Sequence, residues 1–166
     1  DDIIIYTDDN RNKERARLHF ERQANTDSYS QTSSLADRMP KEGTKGYMGF
    51  FAATAEASRR HLEDSYDDIC LGLVADRLVE ALSEWLHYKV RTDLWGYSPD
   101  EPLDPTNIIK GHYNGIRPAI GYPSVPNHEQ KKTLFDITDA TVNTGIELTE
   151  TLAMKPGASV CGYYLI

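Results

Sequence analysis

The stretch ICLGLVADRLVEALSEWLH, residues 69–87, decides the fold class because it is the longest regular pattern in the chain. From about residue 57 to residue 92 there is no proline and a single glycine, Gly72. The large apolar residues recur at helical spacing and share one stripe, formed by Ile69, Leu73, Leu78, Leu82, Trp85 and Leu86. We therefore predict one long helix, or two helices that meet near Gly72.

Shorter apolar segments on both sides of this helix predict β-strands. Residues 3–6 are three β-branched isoleucines and a tyrosine that precede a turn, and residues 15–22 alternate polar with apolar side chains. Residues 46–54 predict a central strand, with glycines at positions where another backbone segment comes close. Two further strands, 146–154 and 158–166, are expected on either side of a turn at Lys155-Pro156-Gly157.

Two more helices are expected in the second half of the chain. A short one covers Thr106 to Tyr113, and a longer one runs from Glu129 to Asn143, with Asn127 as its N-cap and Gly145 at its end. Residues 24–45 are rich in polar residues and predict a loop with a small buried knot at 35–36. Because the predicted strands and helices do not alternate along the chain, we expect an α+β domain rather than a doubly wound sheet.

Composition and charge exclude several classes of protein. The 166 residues are the size of one domain, and no apolar run approaches the ~20 residues that span a bilayer. We therefore expect no membrane partner and a cytoplasmic location. A net charge of −8 argues against nucleic-acid binding, which needs a basic surface. Cys70 and Cys161 are too few for a disulfide framework or a zinc site, so we expect buried thiols.

Familiar catalytic and cofactor motifs are absent. The sequence has no GxGxxG, Walker loop, HExxH, GxSxG or paired CxxC motif. The five histidines show no metal-ligand spacing, so no metal site and no catalytic residue is predicted. A free-standing Rossmann-type methyltransferase is disfavoured because there is no glycine-rich turn between a strand and a helix.

The stretch RPAIGYPSVPNH, residues 117–128, is the strongest candidate for a binding site. Pro118 and Pro123 restrict the backbone at Arg117 and Tyr122, and Gly121 admits close contact. A rigidly held guanidinium suits a carboxylate or phosphate. From chemistry alone the stretch fits equally well a ligand-binding loop or a structural turn whose arginine pairs with a local acid.

The same stretch carries a resemblance to a known family. GIRPAIGYP (115–123) and LTETLAMKPGASVCGYY (148–164) resemble the S-adenosylmethionine-binding activation domain of cobalamin-dependent methionine synthase. DDIIIYTDD, DRLVEALSEWLH and LWGYSPDE are similar to further segments of that family, in the same order along the whole chain. The resemblance implies a bent antiparallel β-sheet with a long helix and additional helices packed against it.

The resemblance also implies roles for the residues of the loop. Arg117 matches the arginine that holds the carboxylate of S-adenosylmethionine. Ala119 and Gly121 match residues whose backbone lines the ligand. Tyr122 matches a tyrosine that faces the corrin when the domain docks on the cobalamin domain.

The resemblance also implies roles for two residues outside the GIRPAIGYP motif. Glu80 matches an acidic helix residue near the ligand, and His128 matches a histidine near the docking face. The chain departs from the family at Lys110-Gly111-His112, where the family has an acidic residue. The family site also uses an aspartate upstream of residue 1 and two tyrosines beyond residue 166. We therefore expect residues 1–166 to form a single domain that is an incomplete piece of a C-terminal activation domain.

The function that the resemblance implies is reactivation of a multidomain methyltransferase. The activation domain presents the methyl group of S-adenosylmethionine for reductive methylation of cob(II)alamin, which a neighbouring domain of the same polypeptide binds. The electron comes from flavodoxin or a similar reductase, and the parent enzyme holds zinc in a distant domain. That enzyme transfers methyl groups from 5-methyltetrahydrofolate to homocysteine, and the isolated piece is expected to be inactive.

A second class of function remains open from the sequence. The proline-rich loop 117–128 would also suit a non-enzymatic module that docks a protein partner. A cobalamin-binding module elsewhere in the same polypeptide would distinguish the two, because only the first hypothesis requires one.

Overall fold

The structure is a computed structural model that describes residues 1–22, 34–40, 44–56 and 66–166. Within these ranges the strands are β1 (Asp2–Tyr6), β2 (Glu14–His19), β3 (Gly49–Thr54), β4 (Glu147–Leu148), β5 (Met154–Lys155) and β6 (Ser159–Tyr164). The helices are α1 (Tyr66–Lys89), α2 (Pro105–Ile109), α3 (Gln130–Thr138) and α4 (Ala140–Thr144), with a 3-10 turn at Leu35–Arg38. The predicted α+β class is confirmed, and none of the described helices is long and apolar enough to cross a membrane.

Strand β6 lies at the centre of the fold. On one edge it pairs antiparallel with β3, from Gly49 opposite Tyr164 to Thr54 opposite Ser159. On its other edge it accepts residues 116–120, through antiparallel bridges from Ile116 to Leu165 and from Ala119 to Gly162. Among the described strands β3 pairs with β6 alone, so the predicted central position of 46–54 belongs instead to β6.

The two faces of the β3–β6 pair bury different cores, because side chains alternate along a strand. On one face Cys161 and Tyr163 join a large cluster with β1, β2 and α3. On the other face Phe51 and Tyr164 pack with Val90, next to α1. Helix α1 packs against both strands of the pair.

Helix α1 lies on the sheet through small residues, not through its leucines. It is continuous through Gly72, so the alternative of two helices is wrong for the described part, residues 66–89. Its buried positions recur every four residues, at Ala75, Val79, Ser83 and His87. Of the predicted apolar stripe only Leu86 packs against the core, and the rest are 39–60% exposed: Ile69, Leu73, Leu78, Leu82 and Trp85.

The end of α1 is tied down by a buried charge. The helix runs into a π-helical turn, Val90–Leu94, which carries the fully buried Arg91. Nε and Nη2 of Arg91 each donate a hydrogen bond of 2.6 Å to the carboxylate of Glu101. The guanidinium carbon also lies 3.9 Å from the centre of the Tyr113 ring. This two-bond pairing offsets much of the cost of burying the charge.

His87 is the other polar group buried at this end of α1. Its ring stacks on Tyr164 at 5.0 Å and meets the edge of Tyr113 at 5.0 Å. Burial, helped by the nearby positive charges of Arg91 and Arg117, lowers the pKa of His87 to about 3. The imidazole is therefore neutral at physiological pH and acts as a flat packing group.

The second half of the chain differs from prediction in two places. The helix expected over 129–143 is interrupted at Asp139, whose φ of 48° is left-handed, so α3 and α4 are separate. Gly145 ends α4 with a φ of 74°, as predicted. Residues 146–154 do not form one strand, because Leu152 turns the chain with a φ of 61° and β4 pairs with β5 as a short hairpin.

The remaining expectations hold in part. Strands β1 and β2 pair antiparallel where they were predicted, and the Leu35–Arg38 turn lies where a knot was expected. Asn127 caps the turn before α3 by accepting a hydrogen bond from the Glu129 amide. Cys161 is buried and Cys70 is partly exposed. Most of the loop predicted over 24–45, and the first residues of the predicted long helix, 57–65, lie outside the described residues.

We predict that Gly162→Ala destabilises the protein by about 1–3 kcal/mol, the usual cost of overpacking. A Cβ at Gly162 would lie 2.3 Å from the carbonyl oxygen of Pro118 and 2.8 Å from the Cα of Ala119, so one backbone must move. Urea denaturation measures the loss. The control is Gly72→Ala, which meets nothing within 4 Å and should stabilise the helix by up to about 1 kcal/mol. Equal stability of Gly162→Ala and the wild type would contradict the close approach.

A second prediction concerns acid stability. The unfolded chain protonates His87 near its ordinary pKa of 6.5, whereas the folded protein keeps it neutral down to about 3. Stability should therefore fall as the pH drops below about 6.5, by up to about 1.4 kcal/mol for each pH unit through this group. Between pH 6 and pH 4, His87→Phe should lose less unfolding free energy than the wild type. The control His112→Phe, at an exposed histidine, should keep the wild-type slope, and the same slope in His87→Phe would refute the assignment.

Candidate ligand-binding site

A cleft of about 840 Å³ lies between α1 and the segment that follows residue 116. Helix α1 contributes one wall, which includes Asp76, Glu80 and Glu84. The opposite wall is formed by residues 117–120 together with residues 157–161 before and within β6. The cleft thus lies where the added strand, β6 and the long helix meet.

Arg117 reaches the cleft from a backbone that is fixed on both sides. The amide of Ile116 donates to the carbonyl of Leu165 at 2.8 Å, and the amide of Tyr163 donates to the carbonyl of Pro118 at 3.0 Å. Nη2 of Arg117 donates a hydrogen bond to Oε1 of Glu84. The Arg117 side chain is 16% exposed, so its charge is shielded from water but open to the cleft.

Two buried side chains of β6, Tyr164 and Cys161, are neutral. Burial raises the pKa of the Tyr164 phenol well above its ordinary value, although the nearby Arg117 charge opposes that shift. Burial also raises the pKa of the Cys161 thiol to about 11. Cys161 lines the cleft but remains a thiol at neutral pH, and a thiol is a poor nucleophile.

Four of the six residues implied by the sequence line this cleft: Arg117, Ala119, Tyr122 and Glu80. Tyr122 is 63% exposed at the rim. Glu80 faces the cleft from α1, where it pairs with Arg77 at 2.8 Å. The structure therefore brings together residues that are far apart in the sequence, from Glu80 to Tyr122.

Gly121 and His128 do not line the cleft. Gly121 has a φ of 102°, and a Cβ there would meet the His128 ring at 2.9 Å. Nδ1 of His128 lies 3.0 Å from Nζ of the buried Lys131, whose ammonium also donates to the carbonyl of Leu152. Both residues therefore shape the turn that presents Tyr122.

The turn is closed by its own backbone. The amide of Gly121 donates to the carbonyl of Val125, and the amide of Val125 donates to the carbonyl of Tyr122, each at 2.8 Å. Val125 itself is buried in the main core. The loop is therefore both a rigid turn and a wall of the cleft, so the two interpretations of the sequence are compatible.

Glu84 lines the cleft and Gly162 lies against its wall at Pro118 and Ala119, but neither was singled out from the sequence. Glu84 lies one helical turn after Glu80, so the i, i+4 spacing of two acids was a usable signal. Gly162 interrupts a strand of large side chains, which is a typical sign of a close backbone approach. The partner of Arg117 is thus an acid distant in sequence rather than a local one.

The cleft combines one shielded guanidinium, several acids and an apolar wall. In the described part of the chain no group of three or more His, Cys, Asp or Glu side chains is arranged to hold a metal ion. The arrangement can bind a carboxylate and position the molecule that carries it.

Comparison with known proteins identifies the fold. Residues 1–166 match the family model of the vitamin B12-dependent methionine synthase activation domain. A crystal structure of a MetH reactivation domain bound to AdoHcy is similar, with a TM-score of 0.90 and 38% sequence identity. That match covers 99% of this chain and 53% of the other, so the chain spans about half the length of that relative. The chain therefore belongs to the vitamin B12-dependent methionine synthase activation domain family.

Proposed function

We propose that the chain binds S-adenosylmethionine in the cleft and presents it to a cobalamin held by a neighbouring domain of the same polypeptide. The observation that carries the proposal is Arg117, which is fixed between two backbone contacts and faces the cleft. The similar reactivation domain was crystallised with AdoHcy, which differs from S-adenosylmethionine by the methyl group. Both compounds carry the carboxylate that Arg117 would hold.

The cleft suits such a ligand in size and chemistry. Its volume of about 840 Å³ lies within the range of small-molecule sites. Pro118, Ala119 and Ile120 give an apolar wall on which an adenosine group can lie. The acidic side chains of Asp76 and Glu80 line the opposite wall and favour the positive sulfonium.

The task of the chain in this proposal is positioning. When bound, S-adenosylmethionine supplies the methyl group for reductive methylation of cob(II)alamin, with an electron from flavodoxin or a similar reductase. Arg117 would anchor the ligand, and Tyr122, which is exposed at the rim, would face the corrin. Orientation of this kind needs no ionising side chain and no covalent intermediate. The cycle sustains methyl transfer from 5-methyltetrahydrofolate to homocysteine in a parent enzyme that also carries zinc in a distant domain.

We further propose that residues 1–166 belong to a single domain whose ligand site is completed by other parts of the polypeptide. The coverage of about half of the similar reactivation domain supports this. So does the exposed apolar stripe of α1, because contiguous apolar surface of this kind is usually covered by protein.

We predict that Arg117→Ala in the full-length polypeptide weakens S-adenosylmethionine binding about 10- to 100-fold. The estimate corresponds to a lost charge-assisted hydrogen bond of about 1.5–3 kcal/mol. Isothermal titration calorimetry measures the affinity. Arg15→Ala is the matched control because Arg15 pairs with Asp136 on the surface and does not line the cleft. Undiminished binding by Arg117→Ala would refute the proposed site.

The isolated chain gives a separate prediction. If other parts of the polypeptide complete the site, residues 1–166 alone should bind S-adenosylmethionine at least about tenfold more weakly than the full-length protein, which corresponds to about 1.4 kcal/mol. Calorimetry under identical conditions compares the two. Equal affinities would show that this chain contains the whole site.

A further inference from the structure

The pair formed by Arg117 and Glu84 differs from the other ion pair buried near it. Arg91 and Glu101 share two hydrogen bonds of 2.6 Å, and the Arg91 guanidinium also lies over an aromatic ring. Arg117 and Glu84 share a single hydrogen bond, from Nη2 to Oε1. Among the described residues, both pairs contain buried atoms with no hydrogen-bond partner: Nε of Arg117, Oε2 of Glu84 and Nη1 of Arg91. The difference between the pairs is therefore that two hydrogen bonds join the first and one joins the second.

The location of the second pair also differs. Both Arg117 and Glu84 line the cleft, and the Glu84 side chain is 34% exposed. Neither Arg91 nor Glu101 lines it. A pair of opposite charges that lines a cleft and shares a single hydrogen bond is complementary to a zwitterion, whose anion binds the arginine and whose cation binds the acid.

The geometry points to Glu84 as the residue that binds the α-ammonium group of the ligand, an inference that rests on the proposed function. The amino-acid end of S-adenosylmethionine carries its carboxylate and ammonium on one carbon atom. A carboxylate held by Arg117 therefore places the ammonium within reach of the acid that is already hydrogen-bonded to that arginine. A carboxylate oxygen accepts more than one hydrogen bond, so Oε1 of Glu84 can serve both cations.

The other acids of the cleft are less suited to this role. Glu80 pairs with Arg77, and its side chain is 59% exposed, so its attraction for an ammonium is more strongly screened. Asp76 lies two helical turns before Glu84, farther from Arg117 along α1. Glu84 alone among these three acids contacts Arg117 in the described structure. It would act as a specificity residue that selects α-amino acid ligands over simple carboxylic acids.

The test uses two ligands and the full-length polypeptide. The ligands are S-adenosylhomocysteine and its deamino analogue, 4-(5′-adenosylthio)butanoate, which has the same carboxylate, thioether and adenosine but no amine. Neither carries a sulfonium charge, so Glu84 is probed through the amine alone. Calorimetry gives both affinities for the wild type, for Glu84→Gln, which removes the charge but keeps the shape, and for Glu14→Gln, a matched surface control paired with Arg17.

We expect the wild type and Glu14→Gln to bind S-adenosylhomocysteine about 5- to 30-fold more tightly than the deamino analogue. Glu84→Gln should weaken S-adenosylhomocysteine binding by a similar factor and leave binding of the analogue unchanged or tighter. Equal affinities of the wild type for the two ligands would overturn the inference without any variant. Equal losses for both ligands in Glu84→Gln would also overturn it, because they indicate that Glu84 only supports Arg117.

The outcomes separate this inference from the proposed function. If the wild type binds neither ligand, the proposed function itself fails, and the assignment of Glu84 fails with it. If both ligands bind and Arg117→Ala weakens both, the proposed site stands. The ratio of the two affinities in Glu84→Gln then decides the role of Glu84 alone.

Discussion

The close approach of two backbones at Gly162 is the constraint on which the site depends. The peptide that joins Pro118 to Ala119 lies against β6 at a distance that excludes even a methyl group. This contact makes residues 116–120 an extra strand beside β6, on the edge opposite to β3. The side chain of Arg117, carried on that strand, then meets α1 through Glu84. Without the approach, the wall of the cleft and its guanidinium would have no fixed position.

Helix α1 supplies the second fixed wall by a related use of small side chains. Ala75, Val79 and Ser83 bring the helix axis near the β3–β6 pair, much as small residues do wherever two elements pack closely. The far end of the helix is held by Arg91, whose charge is satisfied by Glu101. Neutral His87 fills the space between Tyr113 and Tyr164. The acids of α1 therefore face the cleft from a support that is anchored along its length.

Local features of this fold could be predicted from the sequence, and the contacts between distant segments could not. Alternation in residues 15–22 and helical spacing around Gly72 identified β2 and α1, because these patterns depend on neighbours within a few residues. The pairing of Thr54 with Ser159, 105 residues later, leaves no such local pattern. The same holds for Arg117 and Glu84, which are 33 residues apart.

The errors of prediction have specific physical causes. Hydrophobicity favoured the leucines of α1 as the inner face, but the close packing of helix on sheet selects small residues there. The break at Asp139 was missed because an aspartate in a left-handed conformation resembles an ordinary helical aspartate in sequence. For the site, family resemblance placed Arg117, Ala119, Tyr122 and Glu80, which share the cleft. Glu84 is part of no sequence motif, and its place in the site follows only from its hydrogen bond with Arg117.

The chemistry of the cleft explains why rigidity matters more than reactivity here. The thiol of Cys161 and the phenol of Tyr164 are held neutral by burial, so neither supplies a nucleophile or a base at neutral pH. The groups that remain are the Arg117 guanidinium, whose backbone is hydrogen-bonded on both sides, and the Glu84 carboxylate on α1. Beside them lies a turn closed by two backbone hydrogen bonds. A site of this kind can act on a bound molecule only by fixing its position and orientation. Small displacements of Arg117 or α1 should therefore matter more to its function than changes in proton affinity.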